Sequence, residues 1–180
     1  MPVLINLVAF KLGWLACVVG GANGWPVLGS LIAVAIVGFH VFTSDAPTRE
    51  LTLVLIAGVI GALWDSALAG AGLVVYASGT LFAGTAPYWI IAMWLLFATL
   101  LNKSLRWMHQ RLQLAALFGG LGGPLAFYAG HRLGAVEFSD FWPAMLALSI
   151  GWAVIMPLLV LVARRFDGVV AVGTPIAARA

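Results

Sequence analysis

The sequence predicts an all-α protein: a polytopic membrane helix bundle of about six transmembrane helices with both termini cytoplasmic. Three observations predict it. Of 180 residues, 63% are hydrophobic and only 8% are charged, where an ordinary soluble domain carries about 25% charged residues. The mean hydropathy is +1.09. The apolar residues gather into six runs, each near the roughly 20 residues a helix needs to cross about 30 Å of hydrocarbon. Finally, the basic residues concentrate on one side of those runs. This composition excludes a soluble globular domain and a disordered chain. It also excludes a nucleic-acid binder, because the nine Lys and Arg are spread along the chain and the net charge of +3 reads as topology.

The first run extends from about Leu4 to Gly20 and ends in a Gly-Gly-Ala-Asn-Gly turn. It lacks a basic leader and an Ala-x-Ala site, so it is expected to stay as an anchor rather than be cleaved. The second runs from Trp25 to Phe42 and stops at Ser44, Asp45, Pro47, Arg49 and Glu50. The third runs from Leu51 to about Gly72. The fourth runs from Pro87 to about Leu105, the fifth from Leu112 to Gly130 and the sixth from Phe141 to Ala163. Residues 1–165 thus read as a single six-helix transmembrane domain, and 166–180 as a short, mobile cytoplasmic tail. Leu73 to Ala86 has no charge and too much exposed backbone chemistry for a lipid contact, so it is expected as an interfacial loop, with a re-entrant segment the alternative. Pro124 and Pro157 fall within runs five and six and are expected to kink them.

With six spans, Arg49, Lys103, Arg106, Arg111, Arg164, Arg165 and Arg179 share the side of the termini, and Arg132 alone lies opposite. The positive-inside rule then makes that side cytoplasmic. Runs two, four and six each start at the outer side with aromatics beside proline: Trp25-Pro26, Pro87-Tyr88-Trp89 and Phe141-Trp142-Pro143. Aromatic rings suit the headgroup level, and proline suits a first helical turn.

Small residues recur at four-residue spacing. Ala9, Gly13, Cys17 and Gly21 lie on run one, Gly58, Ala62, Ser66 and Gly70 on run three, and Gly119 and Gly123 on run five. Such stripes let backbones approach closely in lipid. Internal packing is the ordinary explanation. The stripe of Ala9, Gly13 and Cys17 is the candidate docking face for a membrane-protein partner. Cys17 reads as a small core residue.

Charges inside a membrane are costly and default to functional candidates. Lys11 lies about 10 Å from the cytoplasmic edge and Asp65 about 20 Å from it, at 1.5 Å per residue. They are not level, and Thr99 and Asn102 are closer in depth to Lys11, which can also snorkel. Asp65 has one methylene and cannot snorkel far. It is expected in an outward-facing pocket with Ser66, Tyr76, Trp89, His131 and Arg132, with a helix-packing hydrogen bond the alternative. No catalytic residue is assigned, the three histidines have no metal spacing, and no cofactor motif is present. Asn102 to Trp107 reads as a cytoplasmic anchor.

Several strings carry a resemblance: Lys11-Leu12-Gly13-Trp14-Leu15-Ala16-Cys17, Trp64-Asp65-Ser66 with Gly72-Leu73, Trp94 through Leu105, and Gly122-Gly123-Pro124-Leu125-Ala126. They are similar to a bacterial inner-membrane family known as domain of unknown function 2878, over nearly the whole chain, with the Trp94–Leu105 string the most specific. The resemblance implies a neutral residue at position 11 and a histidine at 103, from which Lys11 and Lys103 depart. It carries no established activity and implies lipid-related work at the bacterial envelope.

Three functions compete. The first is a non-catalytic accessory or binding protein linked to envelope lipids, with the lipid bilayer as its surroundings and no nucleic-acid partner. The second is a small-solute binding or transport subunit, similar in architecture to the substrate-binding components of energy-coupling-factor transporters. The third, ranked last, is a membrane enzyme acting on lipid with Asp65 and His131 as acid and base.

Overall fold

The computed structural model describes residues 2–169. Arg179, counted above for orientation, and residues 170–180 of the expected tail lie outside the described residues. The described residues form six α-helices and one two-stranded ribbon: α1 (Val3–Ala22), α2 (Pro26–Phe42), α3 (Pro47–Gly70), β1 (Val74–Tyr76), α4 (Tyr88–Leu101), α5 (Leu112–Arg132), β2 (Val136–Phe138) and α6 (Phe141–Arg165). A short 3-10 helix, Arg106–Gln110, joins α4 to α5.

The local chemistry explains the boundaries. Asn23 closes α1, with both its backbone N–H and its side-chain amide donating to the Val19 carbonyl. Gly24 then turns the chain at φ +77°, a conformation costly for any residue with a Cβ. Pro26 and Pro47 open α2 and α3, where a missing N–H costs nothing. Helices α5 and α6 run continuously through Pro124 and Pro157.

All six expected runs are helical, but their lengths are unequal. Helices α1, α3, α5 and α6 are long and apolar enough to cross a membrane. Helix α2 has 17 residues and α4 only 14, or about 26 and 21 Å at 1.5 Å per residue. The fourth run was expected to continue to Leu105. It stops at Leu101, because Asn102 turns its side chain to Glu50 and to the Phe166 carbonyl. The Leu73–Ala86 connection is more ordered than a plain loop. Its β1 pairs antiparallel with β2, placing Val74 opposite Phe138 and Tyr76 opposite Val136.

Helix α4 is the centre of the bundle and packs against α1, α2 and α3, while α5 pairs with α6. Glycines make the close contacts. A Cβ at Gly29 would strike the backbone of Ala16 and Cys17, and one at Gly119 the backbone of Trp152. Four other glycines receive indole rings: Trp89 lies on Gly21, Trp94 on Gly61, Trp152 on Gly123 and Trp64 on Gly151. Trp94 and Trp152 stack at 4.6 Å between ring centroids. The stripe on α1 is occupied from within the chain. Gly13 meets Leu96 and Ile36, and Cys17 is buried with its thiol on the Gly29 carbonyl. At these two positions the stripe packs against the chain itself.

Candidate functional site: a groove between two helix groups

A cavity of about 460 Å³ lies between α1 and α4 on one side and α5 and α6 on the other. That volume falls in the usual range for small-molecule sites. Its floor is buried: Trp89, Ile90 and Trp94 from α4, Gly119, Gly123 and Phe127 from α5, and Met156 from α6. Its rim is exposed: Leu7 and Lys11 from α1, and Phe118, Leu125 and Ala126 from α5. The groove is thus open along one side. The glycines of α5 create this shape, since side chains at Gly119 and Gly123 would fill the space where Trp152 and Met156 now lie.

Among the described residues, two charged ones line the groove, Lys11 and Asp65; the rest of that lining is aliphatic, aromatic, methionine or glycine. Both were singled out as intramembrane charges at different depths, and the structure places them along one cavity. Lys11 is exposed, with its ammonium 5.9 Å from the ring centroids of both Phe10 and Trp14. Aromatic faces attract a cation at that range. Asp65 is fully buried. Its Oδ1 accepts the Tyr76 hydroxyl at 2.8 Å and its Oδ2 accepts the Trp94 indole N–H at 2.5 Å. Both carboxylate oxygens therefore have a donor, which a buried charge requires. Burial, reinforced by the Asp65 charge, pushes the Tyr76 phenol well above its ordinary 10.0.

The residues expected around Asp65 divide. Tyr76 joins it directly, and Trp89 packs edge-on to Tyr76 at 5.9 Å and donates its indole N–H to the Ser78 carbonyl. Ser66 is used elsewhere, accepting the Ala86 N–H. His131 donates from Nδ1 to the Val136 carbonyl and sits against Phe138, and Arg132 is exposed beside the Tyr128 hydroxyl. Neither lines the groove. Thr99 and Asn102 are not brought to Lys11. The Thr99 hydroxyl donates to the Leu96 carbonyl, and its own carbonyl accepts the buried Asn6 amide.

A second polar cluster was not foreseen. At the opposite end of α3 from the ribbon, Glu50 is completely buried, with Oε2 2.9 Å from His40 Nε2. Its Oε1 accepts Asn102 Nδ2 at 2.6 Å and the Gly168 N–H at 3.0 Å. The Gly168 carbonyl in turn accepts the Ala46 N–H, and Arg106 pairs with Asp167 and donates to the Val169 carbonyl. Residues 166–169 are thereby held across this end. The available signal was a His near the end of one apolar run and a Glu in the polar stop just before the next. The hairpin between them brings both to one level.

Fold and site together define an integral membrane helix bundle with an apolar groove. The chain belongs to a family described as a protein of unknown function, DUF2878, whose match covers residues 3–158. Among curated proteins and among solved structures, nothing matches the chain.

Proposed function

We propose that the protein is a non-catalytic binding protein of a bacterial inner membrane, which holds a lipid-like amphiphile in the groove and serves envelope lipids as an accessory. The observation that carries this reading is the groove itself, with an aromatic and aliphatic floor and an exposed rim on long apolar helices. Apolar space of this size is unfavourable for water, which needs polar partners, and its lining loses contacts when empty. A hydrocarbon chain satisfies it. The non-catalytic part is supported by Asp65, whose oxygens are both engaged, and by His131, whose Nδ1 is bound to a backbone carbonyl.

Native mass spectrometry of protein extracted gently from its own membrane tests the reading. One amphiphile retained per chain is expected. Retention of bulk lipid alone, or of a protein partner alone, would remove it. The solute-transport reading is favoured by one observation, that Asp65 and Trp89 both line the groove. An Asp65→Asn variant that binds and transports as wild type does would eliminate that alternative.

A further inference from the structure

We infer that the groove takes a single-chain amphiphile with an anionic carboxylate head, seated with its head at Lys11 and its tail toward Trp89 and the ribbon end. This rests on the binding reading above and names the class and orientation of the occupant. The inference begins with what lipid cannot supply. Surrounding acyl chains are as apolar as the groove, so burying a chain gives little net drive. Selectivity must then come from shape and from the polar groups.

The groove offers two charges of opposite kind and opposite state. Lys11 stands on the exposed rim, held only by the faces of Phe10 and Trp14, and no hydrogen bond or ion pair engages it among the described residues. Its three donors remain available to an anion. Asp65 lies deeper in the groove and nearer the ribbon, with both oxygens occupied. It repels an anion, and each of its oxygens already accepts a hydrogen bond. One end of the groove therefore attracts a negative head and the other rejects it, which fixes the orientation of the ligand.

Depth selects the head. Lys11 is eight residues into α1 from Val3, or about 12 Å along the axis, within one leaflet of a hydrocarbon layer about 30 Å thick. A phospholipid phosphate at headgroup level would have to drag its glycerol and substituents inward to meet it. A carboxylate brings two oxygens. The volume, at about 460 Å³, also suits one small ligand.

Quenching of tryptophan fluorescence tests this, since Trp14, Trp89, Trp94 and Trp152 all line the groove. The probes are dibromostearic acid at alkaline pH, its methyl ester, and dibrominated phosphatidylglycerol and phosphatidylcholine, each added to purified full-length protein. The free acid is expected to half-quench at a concentration at least tenfold lower than the ester. Lys11→Met should abolish that preference and Lys103→Met should keep it. Equal quenching by acid and ester in the wild type overturns the anionic head while leaving a lipid-binding groove. A preference for phosphatidylglycerol over both the acid and phosphatidylcholine overturns the single-chain assignment. No saturable quenching by any probe removes the binding reading itself.

Discussion

Helix α3 carries two fully buried carboxylates, Glu50 and Asp65, about 22 Å apart along its axis, and the protein treats them differently. Glu50 is met by an imidazole, a side-chain amide and a backbone N–H, drawn from α2, the residue that follows α4 and the segment after α6. Asp65 is met by a phenol and an indole, from β1 and α4. The first cluster ties three distant parts of the chain together. The second leaves its carboxylate on a groove wall behind two aromatic rings. A buried charge in lipid needs donors in either case. Donors from many elements make a clamp, and donors from aromatic rings make the wall of a cavity.

Substitution of the two carboxylates separates these roles. Glu50→Ala is expected to have the largest effect, because it strands His40 and the Gly168 N–H and leaves the Asn102 amide only the Phe166 carbonyl. Removing one member of a buried pair typically costs about 3–5 kcal/mol, read as loss of the unfolding transition in detergent. If Glu50→Ala unfolds like wild type, the clamp has no energetic meaning. Asp65→Asn keeps one acceptor and turns an amide donor toward a donor. About 1–3 kcal/mol is expected for the donor left unsatisfied. The groove should lose affinity for its occupant in proportion to any movement of Trp94.

Packing sharpens the same comparison. Gly61→Val drives Trp94 off its seat and off Asp65, at about 1–3 kcal/mol for overpacking. Gly38→Ala, where nothing lies within 4 Å of the new Cβ, should be neutral or stabilising by up to about 1 kcal/mol. Similar losses at both positions would refute the indole-on-glycine account.

The Asp65 cluster also carries a pH response. The Tyr76 phenol holds its proton in the folded chain well above the usual 10.0. As pH rises past 10 the unfolded chain releases that proton and the folded chain resists, so stability falls with rising pH. Tyr76→Phe should remove part of that alkaline loss, seen by comparing unfolding midpoints below and above pH 10 in both proteins. A small loss is expected at Arg106, whose ion pair with Asp167 is partly exposed. Arg106→Met should cost at most about 1 kcal/mol. Its clearer sign should be faster proteolysis near residues 166–169, and added salt should narrow the difference from wild type.

The run of Phe141 to Ala163 and the helix Phe141–Arg165 show how legible the helices were. The same holds for Trp25–Phe42 against Pro26–Phe42. Helix α4 was read four residues too long, since its end is decided by Asn102 reaching a Glu 52 positions away. In the candidate site, Asp65 and Lys11 stood out because charge in an apolar run is visible without coordinates, and Tyr76 followed from depth. Trp94, the second donor to Asp65, looked like one apolar residue among many. Glu50 looked like part of a polar stop between helices, and His40 like one of three histidines without metal spacing.

What the sequence determined by itself was the class of the protein, its helices and their approximate ends. Chain length in hydrocarbon and the need to satisfy backbone groups within each segment are local conditions. What only the tertiary structure decided was which faces meet. In water, the buried face of a helix differs in polarity from the exposed one, so periodicity reveals it. In lipid both faces are apolar, and that signal is erased. The meeting of Asp65 with Trp94, the closing of Gly168 over Glu50, and the groove that joins Lys11 to Asp65 depend on how glycines and indoles interlock across helices, and no spacing along the chain encodes that.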